Sequence, residues 1–174
     1  WGRVVKGMTG ETVLDGRYRL VRRIGQGGFG SIFLAEQVAL ARPVVIKSVR
    51  TDMADVPDLV ERFRREAVLV AGIRHPNVVT YHDFGQDAEG DLLLVMELLE
   101  GESLTEHLAR HGPIPSDRAA GLLRQAAAGL AAAHRAGLVH RDVKPSNLFL
   151  EQGAWPAMRL KVIEVDKKRR RLVM

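Results

Sequence analysis

The sequence contains no cysteine, and this absence excludes a disulfide framework and a thiolate zinc site. Its 174 residues include no apolar run of the roughly 18 residues that a membrane-spanning helix needs. The N-terminus also lacks the charged and then apolar pattern of a signal peptide. These absences predict a cytoplasmic protein without a membrane segment. Because the chain begins with Trp1 rather than Met, we expect a fragment or a trimmed product.

A basic face is also missing, although the formal net charge is +5. Residues 167–171 read KKRRR, and without them the 26 Lys and Arg fall to 21, equal to the 21 Asp and Glu. The excess charge is therefore confined to a solvated tail, and we expect no nucleic-acid partner. With 46% hydrophobic residues, the composition is that of an ordinary globular protein with one domain or two small lobes.

The first part of the chain has the pattern of a small, mostly antiparallel sheet with one helix. Strand patterns occur at residues 18–25, 31–38, 42–49, 78–84 and 91–99. Between the third and the fourth, apolar residues recur at three- and four-residue steps, which predicts one buried helix face over residues 56–73. That face consists of Leu59, Phe63, Ala67 and Val70.

After Gly101 the pattern becomes helical. A first helix is predicted to begin at Ser103, because Glu106 stands at the capping-box position three residues later. A second, rich in Ala and Leu nearly all round, extends from Pro115 to about Gly137 and has the pattern of a helix buried on most sides.

Three glycines, Gly25, Gly27 and Gly30, form a G-x-G-x-x-G pattern. Such glycines let backbone N–H groups approach a phosphate, although the same spacing also occurs in ordinary hairpin turns. A dinucleotide-binding fold would need a helix after the third glycine and an acidic residue about twenty positions later. Here a strand pattern follows, seventeen residues on stands Lys47, and no Walker sequence is present. The pattern therefore favours a glycine hairpin that covers phosphates, with a lysine from the next strand.

Lys47 lies within the apolar strand sequence VVIKSV. A lysine in such a place is often a surface residue whose ammonium group reaches water. Glu66 favours the functional alternative, because it lies near the buried face of the following helix and offers an anionic partner. A pair between strand and helix would direct the ammonium group towards the phosphates.

The run LVHRDVKPSN, at residues 138–147, completes the set of motifs. Together with GQGGFGSI and with VVIK and Glu66, it resembles the eukaryotic-type serine/threonine protein kinases, particularly the bacterial ones. The resemblance extends from about residue 14 to about residue 164. It implies an α+β, two-lobed kinase fold with a complete small lobe, built from a five-stranded antiparallel sheet and one helix. The mainly helical large lobe would be incomplete, truncated after the catalytic loop.

The resemblance also implies residue roles. Asp142 would accept the proton of the substrate hydroxyl, Lys144 would steady the γ-phosphate and favour Ser/Thr substrates, and Asn147 would bind Mg²⁺. Arg141 would pair with a phosphorylated activation loop, and Met96 would be the gatekeeper of a hinge whose Glu97 carbonyl and Leu99 N–H hold adenine. The implied ATP-binding residues are Ile24, Gly25, Gln26, Gly27, Gly28, Gly30, Ile32, Val45, Lys47, Glu66, Met96, Glu97, Leu99 and Phe149.

Small-molecule phosphotransferases share the Asp and the Asn of the catalytic loop, but they do not usually have a lysine two residues after the Asp. The chain also departs from the kinase pattern. Val45 replaces the usual Ala, and Glu164, Val165 and Asp166 stand where the family has D-F-G as metal ligand and turn. Because this departure coincides with the tail and with the last residue, Met174, a shifted reading frame or an artificial terminus explains it better than an evolved pseudokinase.

The expected organisation follows from these motifs. We predict an N-terminal extension at residues 1–15, a small lobe at 16–95, a hinge and partial large lobe at 96–166, and a basic tail at 167–174. The implied function is transfer of the γ-phosphoryl group of Mg·ATP to a Ser or Thr hydroxyl of a protein substrate. The alternatives are a catalytically dead nucleotide-binding or scaffolding module and a gene fragment without a function of its own.

Overall fold

The computed structural model describes residues 10–27, 30–50, 56–153 and 158–163. Within the first helix it leaves out the side chains of residues 56–60, 62, 63 and 66. The chain divides into two compact units, one formed by Trp1–Val68 and Tyr81–Leu98 and the other by Leu69–Thr80 and Leu99–Met174. A sheet dominates the first unit, and helices dominate the second.

The first unit contains an antiparallel sheet of six strands. They are β1 (Thr12–Val13), β2 (Tyr18–Gly27), β3 (Gly30–Gln37), β4 (Arg42–Val49), β5 (Tyr81–Gln86) and β6 (Leu92–Glu97). Their order is β1-β2-β3-β4-β6-β5, and every pair is antiparallel. The five predicted strands are all present. The sixth, β1, was not predicted, because its two residues are too few to display an alternation.

One face of this sheet forms the core of the first unit. Alternation places Phe33 and Ala35 of β3 on that face together with Val44 and Ile46 of β4, and Val95 of β6 completes the row. The exposed fraction of each of these side chains is 5% or less. Because successive strand residues point to opposite faces, the residues between them lie on the other face, where the candidate site is found.

The sheet curls until its first and last strands meet. The Tyr18 hydroxyl on β2 donates a hydrogen bond of 3.1 Å to Asp83 on β5, and Arg17 forms an ion pair with the same carboxylate. Burial, followed by the negative charge of Asp83, raises the pKa of Tyr18 above its usual value. Leu14 packs so closely on β5 that a Cβ atom at Gly85 would lie 2.5 Å from its Cδ2.

The predicted helix is α1, which spans Val56–Ala71. Ala67 and Val70 are each 5% exposed, so the predicted apolar face is confirmed at these two positions. The side chains of Leu59 and Phe63 lie outside the described part of the chain. The helix ends two residues before the predicted boundary.

The second unit combines two helices with a small sheet. The helices are α2 (Leu104–His111) and α3 (Ser116–Arg135). The strands β7 (Gly101–Ser103), β8 (Leu148–Glu151) and β9 (Leu160–Val162) pair in the order β7-β8-β9. Strand β7 was not predicted, since its sequence GES is short and polar and its pairing depends on β8, more than forty residues away in sequence. Within the described residues, no helix is long and apolar enough to cross a membrane.

The capping box of α2 is confirmed. The Ser103 hydroxyl accepts a hydrogen bond from the Glu106 N–H at 3.2 Å, and the Glu106 carboxylate accepts one from the Ser103 N–H at 2.8 Å. Two otherwise unpaired donors at the helix start are thereby satisfied. Hydrogen bonds from the Ser103 side chain and backbone lower the pKa of Glu106.

Helix α3 packs on β8 and β9 through one face. Its Leu122 and Ala126 join an apolar cluster that includes Leu148, Leu150 and Leu160. Small residues on this face allow close approach, whereas Leu123 on another side is 65% exposed.

The closest approach of α3 occurs at Gly129, where a Cβ atom would lie 2.4 Å from the carbonyl oxygen of Asn77. Asn77 is 8% exposed, and its amide group donates hydrogen bonds to Gln125 at 3.0 Å and to the Leu160 carbonyl at 2.7 Å. Its own carbonyl accepts a hydrogen bond of 2.9 Å from the Val162 N–H. The loop at Asn77 is therefore held rigidly against α3 and β9.

Replacement of Gly129 by alanine tests this packing. In an open helix interior, Gly→Ala stabilises by about 1 kcal/mol. Here the added methyl group meets backbone atoms that cannot rotate away, so we expect a loss of roughly 1–3 kcal/mol in the free energy of unfolding, measured by urea denaturation. Leu123→Ala on the exposed side of α3 is the control and should change stability by no more than about 0.5 kcal/mol. Stabilisation by Gly129→Ala would contradict the close contact.

Candidate active site

The glycine pattern forms the end of a hairpin in the first unit. Strands β2 and β3 pair up to Gly27 and Gly30, and Gly28 and Phe29 between them lie outside the described residues. A strand follows Gly30, so the expectation of a hairpin rather than a dinucleotide-binding turn is confirmed. A Cβ atom at Gly30 would lie 1.8 Å from the Ser48 carbonyl oxygen, so the contact with β4 by itself requires glycine there.

Several predicted ATP-binding residues lie on one face of the sheet. Strand register places Gly25, Ile32 and Lys47 opposite one another on β2, β3 and β4. The neighbouring row on the same face contains Val45 and Met96, which are paired across β4 and β6. Directly opposed residues of an antiparallel pair project to the same side. The sheet therefore brings these five residues to one surface, opposite the core.

The two residues beside Gly25 are both exposed but differ in the regularity of their strand pairing. Ile24 stands at an irregularity in the β2–β3 pairing, between Arg23 and Gly25, and is 42% exposed. Gln26 is paired regularly with Ser31. The edge of the hairpin thus presents an apolar side chain, Ile24, to solvent.

Lys47 is half-buried, between Ile32 on one neighbouring strand and Leu94 on the other. Its predicted partner, Glu66, belongs to α1, but the Glu66 side chain lies outside the described part of the chain. The ion pair between them stays a prediction.

The predicted hinge residues follow the last strand of the sheet. Glu97 ends β6 and is paired with Val44, and Leu99 lies in the irregular segment before β7. The two residues therefore lie where the regular ladder of β6 ends.

The predicted catalytic residues come together in the second unit. Lys144 Nζ lies 2.6 Å from Asp142 Oδ2, and the Asn147 side-chain amide donates a hydrogen bond of 2.9 Å to the Asp142 carbonyl. Asn147 is 4% exposed, while the side chains of Asp142 and Lys144 are 27% and 44% exposed. A carboxylate and an ammonium group thus meet at a solvent-accessible point, above a buried amide.

The oxygen atoms of this loop fit a hard divalent cation. Because the Asn147 nitrogen donates to the Asp142 backbone, the amide oxygen points away from that bond. This oxygen accepts one long hydrogen bond of 3.5 Å from the Ser146 hydroxyl and has a second lone pair for a ligand. Oxygen ligands of this kind are those that Mg²⁺ prefers. Glu164, the second predicted metal ligand, lies outside the described residues together with Val165.

His140 is a positioning residue that the sequence analysis did not assign. It is 2% exposed, and its Nδ1 accepts a hydrogen bond of 3.3 Å from the Asp142 N–H. The ring proton therefore belongs on Nε2, which donates to the Ile163 carbonyl at 3.1 Å. His140 thus connects the loop to the residue directly before Glu164. The sequence feature that could have identified His140 is its position at the start of the HRD sequence.

Arg141 has a φ of +60°, in the left-handed region that residues other than glycine rarely adopt. Such backbone strain persists where the surroundings enforce it and is concentrated at functional sites. Here the backbone reversal at Arg141 places the Asp142 N–H within reach of both the carbonyl and the ring of His140.

Phe149 lies on β8, paired with Ser103 on β7 and with Lys161 on β9. Its neighbours Leu148 and Leu150 point to the core, so the half-buried Phe149 ring lies on the opposite face of this sheet. An aromatic surface of this kind suits a flat ligand.

A match to the protein kinase domain covers residues 18–165. The chain belongs to this family. It is 48% identical over 142 residues to the serine/threonine-protein kinase pkn2 of Myxococcus xanthus, a match that covers 82% of this chain. It is 39% identical over 139 residues to the serine/threonine-protein kinase PrkC of Bacillus subtilis, with 79% of this chain covered. The resemblance to bacterial serine/threonine kinases is thereby confirmed.

A solved structure agrees with this assignment. The kinase domain of Mycobacterium tuberculosis PknI matches with a TM-score of 0.77 at 28% identity, over 89% of this chain and 61% of that one. The two-lobed kinase fold is therefore confirmed. Protein kinases generally use ATP and Mg²⁺ and act on protein substrates. The matches cover 17% of pkn2 and 21% of PrkC, so the chain spans about a fifth of the length of these relatives.

The role of His140 in holding the loop is open to a stability test. His140→Ala leaves a buried carbonyl and a cavity, so we expect the free energy of unfolding to fall by roughly 1–3 kcal/mol in urea denaturation. His134→Ala, at an exposed position near the end of α3, is the matched control and should have an effect below about 0.5 kcal/mol. Equal stability of the two variants would show that the His140 contacts contribute nothing to the fold.

Proposed function

We propose that this chain carries the ATP-binding and phosphoryl-transfer residues of a serine/threonine protein kinase that acts on protein substrates. The observation that supports the proposal is the arrangement in the second unit, where Lys144 and Asn147 both contact Asp142. A phosphoryl transfer needs little covalent assistance, but it needs an aligned acceptor oxygen and neutralisation of charge. These three side chains supply both requirements.

In the proposed step, Asp142 orients the Ser or Thr hydroxyl and accepts its proton. The hydroxyl oxygen forms a bond to the γ-phosphorus, the bond from that phosphorus to the bridging oxygen breaks, and ADP leaves. Lys144 neutralises charge on the group in transfer, and Asn147 would hold a Mg²⁺ ion with its amide oxygen. That ion would supply further neutralisation of the phosphate charge.

The first unit supplies the proposed contacts to the nucleotide. The hairpin residues 24–27 and Gly30 and the strand residues Ile32, Val45 and Lys47 share an edge and a face of one sheet, which supports their joint assignment. Gly28 lies outside the described residues, and its assignment stays a prediction. Glu66 would orient Lys47, and Met96 and Glu97 would contact adenine. Leu99 and Phe149 belong to the second unit, and their assignment to adenine rests on the resemblance to kinases alone. The predicted segments at residues 1–15, 16–95, 96–166 and 167–174 and a cytoplasmic location belong to the same proposal.

A second candidate function is nucleotide binding without transfer. The supporting observation is Glu164, which replaces the metal-binding Asp of the family. Its additional methylene displaces the carboxylate by about 1.5 Å. Mg²⁺ demands near-ideal octahedral geometry, and a misplacement of about 1 Å can lower a rate on the order of a hundredfold. We therefore expect slow transfer even when ATP is bound.

Transfer of radiolabelled phosphate to a mixture of Ser- and Thr-containing peptides tests both functions. We expect the 174-residue chain to bind Mg·ATP and to transfer phosphate slowly. The triple replacement Glu164→Asp, Val165→Phe and Asp166→Gly should raise the rate by roughly a hundredfold. Asp142→Asn, added to the triple variant, should abolish transfer while ATP binding persists. ATP binding with no transfer by the triple variant would favour the second function, and absence of ATP binding would contradict both.

The proposed pair of Lys47 and Glu66 is tested by a double-mutant cycle on ATP affinity. Each single replacement by alanine leaves the other side chain misdirected, so the two effects should be strongly non-additive, with a coupling of about 0.5–3 kcal/mol. Calorimetric titration with Mg·ATP provides the affinities. Additive effects would remove Glu66 from the assignment without affecting that of Asp142.

A further inference from the structure

A second group of metal-ligating side chains lies apart from the catalytic loop. Glu102 on β7 and His107 and His111 on α2 each direct one ligand atom into a common space, and these three atoms all lie within 4.8 Å of one another. His107 and His111 are one helical turn apart, so both rings project from the same face of α2. We propose that these residues bind a late transition-metal ion, and Zn²⁺ in particular.

The distances are close to those of a tetrahedral zinc site. Zinc bonds to imidazole nitrogen and carboxylate oxygen are about 2.0–2.2 Å long, so two ligand atoms of a tetrahedral site are roughly 3.3–3.5 Å apart. Glu102 Oε1 lies 2.9 Å from His107 Nδ1 and 3.8 Å from His111 Nε2. These two separations differ from the tetrahedral range by about half an ångström, and the ligand atoms of His107 and His111 lie within 4.8 Å of each other, so side-chain rotation would bring the three around a zinc ion.

The three side chains differ in their exposure to solvent. Those of Glu102 and His107 are 19% and 20% exposed, whereas that of His111 is 54% exposed. Two ligands are thus preorganised by packing, and the third lies at the surface, where an ion would enter. A cavity of about 260 Å³, lined by His107, His111 and Arg118 among others, leaves room for water in the fourth coordination position.

Hydrogen bonds within the protein do not use every potential ligand atom of this group. Glu102 Oε2 is buried and has no hydrogen-bond partner within the described residues, although Arg110 Nη1 approaches it to 2.9 Å as an ion pair without hydrogen-bond geometry. The Arg110 side chain is 65% exposed, so solvent screens its repulsion of a bound cation. The ring centroid of His111 is 4.7 Å from that of His107, so the two imidazoles are close enough to share one ligand.

The chemical types of the three ligand atoms determine which metal ion should bind. Two imidazole nitrogens and one carboxylate oxygen suit Zn²⁺ and its neighbours in the first transition series. Mg²⁺ takes oxygen ligands and keeps its water, so it should not compete. The proposed ion would join β7 to the last turn of α2. Because β7 also pairs with β8, which begins directly after Asn147, the ion would brace the strand that follows the catalytic loop.

Titration of the 174-residue chain with zinc chloride in excess Mg²⁺, followed by calorimetry, tests the proposal. We expect one zinc ion per chain, and visible absorption of the tetrahedral type when Co²⁺ replaces Zn²⁺. His111→Ala removes a surface ligand with little risk to folding. Loss of a residue that only supports a metal ligand lowers metal affinity roughly 10- to 100-fold, so loss of the ligand itself should weaken zinc binding by more than that. Glu102→Gln, which keeps the side-chain size, should also weaken binding.

His134→Ala is the matched control, because His134 is an exposed helical histidine outside the group. It should leave zinc affinity unchanged. Hydrogen exchange provides a second readout, since zinc that binds only the folded state should slow exchange of the amides of α2. No binding by the unmodified chain, equal binding by the His107→Ala/His111→Ala variant, or equal weakening by His134→Ala would each overturn the proposal.

Discussion

The hydrogen bonds of buried His140 connect the loop that contains Asp142 to the segment at Ile163. The ring contacts the Asp142 N–H on one side and the Ile163 carbonyl on the other, and the strained backbone of Arg141 is maintained between these anchors. The carboxylate of Asp142 can therefore remain accessible to solvent without becoming mobile. The arrangement of Lys144 and Asn147 around that carboxylate depends on the same anchors.

In the first unit, strand register determines which side chains face the core and which face the candidate site. The alternation of β3 and β4 sends Phe33 and Ile46 into the core and thereby sends Ile32 and Lys47 to the opposite face. A shift of one residue would exchange the two sets and bury the lysine. The placement of Ile32 and Lys47 on one face is thus compatible with a sheet that is stabilised by the removal of the apolar side chains of the other face from water.

Much of the fold was predictable because it rests on local signals. The hairpin, the capping box at Ser103 and the five longer strands each have a sequence pattern of their own. Strands β1, β7, β8 and β9 were missed because they are two to four residues long and exist only through their partners. The requirement for glycine at Gly129 likewise could not be predicted from the sequence, since it arises from the Asn77 carbonyl, which is more than fifty residues away.

The amino-acid sequence by itself determined the family and the order of the motifs, and it named the residues proposed to surround the phosphates, because each motif combines a residue type with a fixed local spacing. It also determined the departure at Glu164, whose side-chain length differs from that of aspartate. Only the tertiary structure decided which atoms meet. The tautomer of His140, the orientation of the Asn147 amide and the convergence of Glu102 with His107 and His111 depend on hydrogen bonds and packing between separate elements. Such contacts have no pattern along the chain, because they are set by the folded positions of backbone groups.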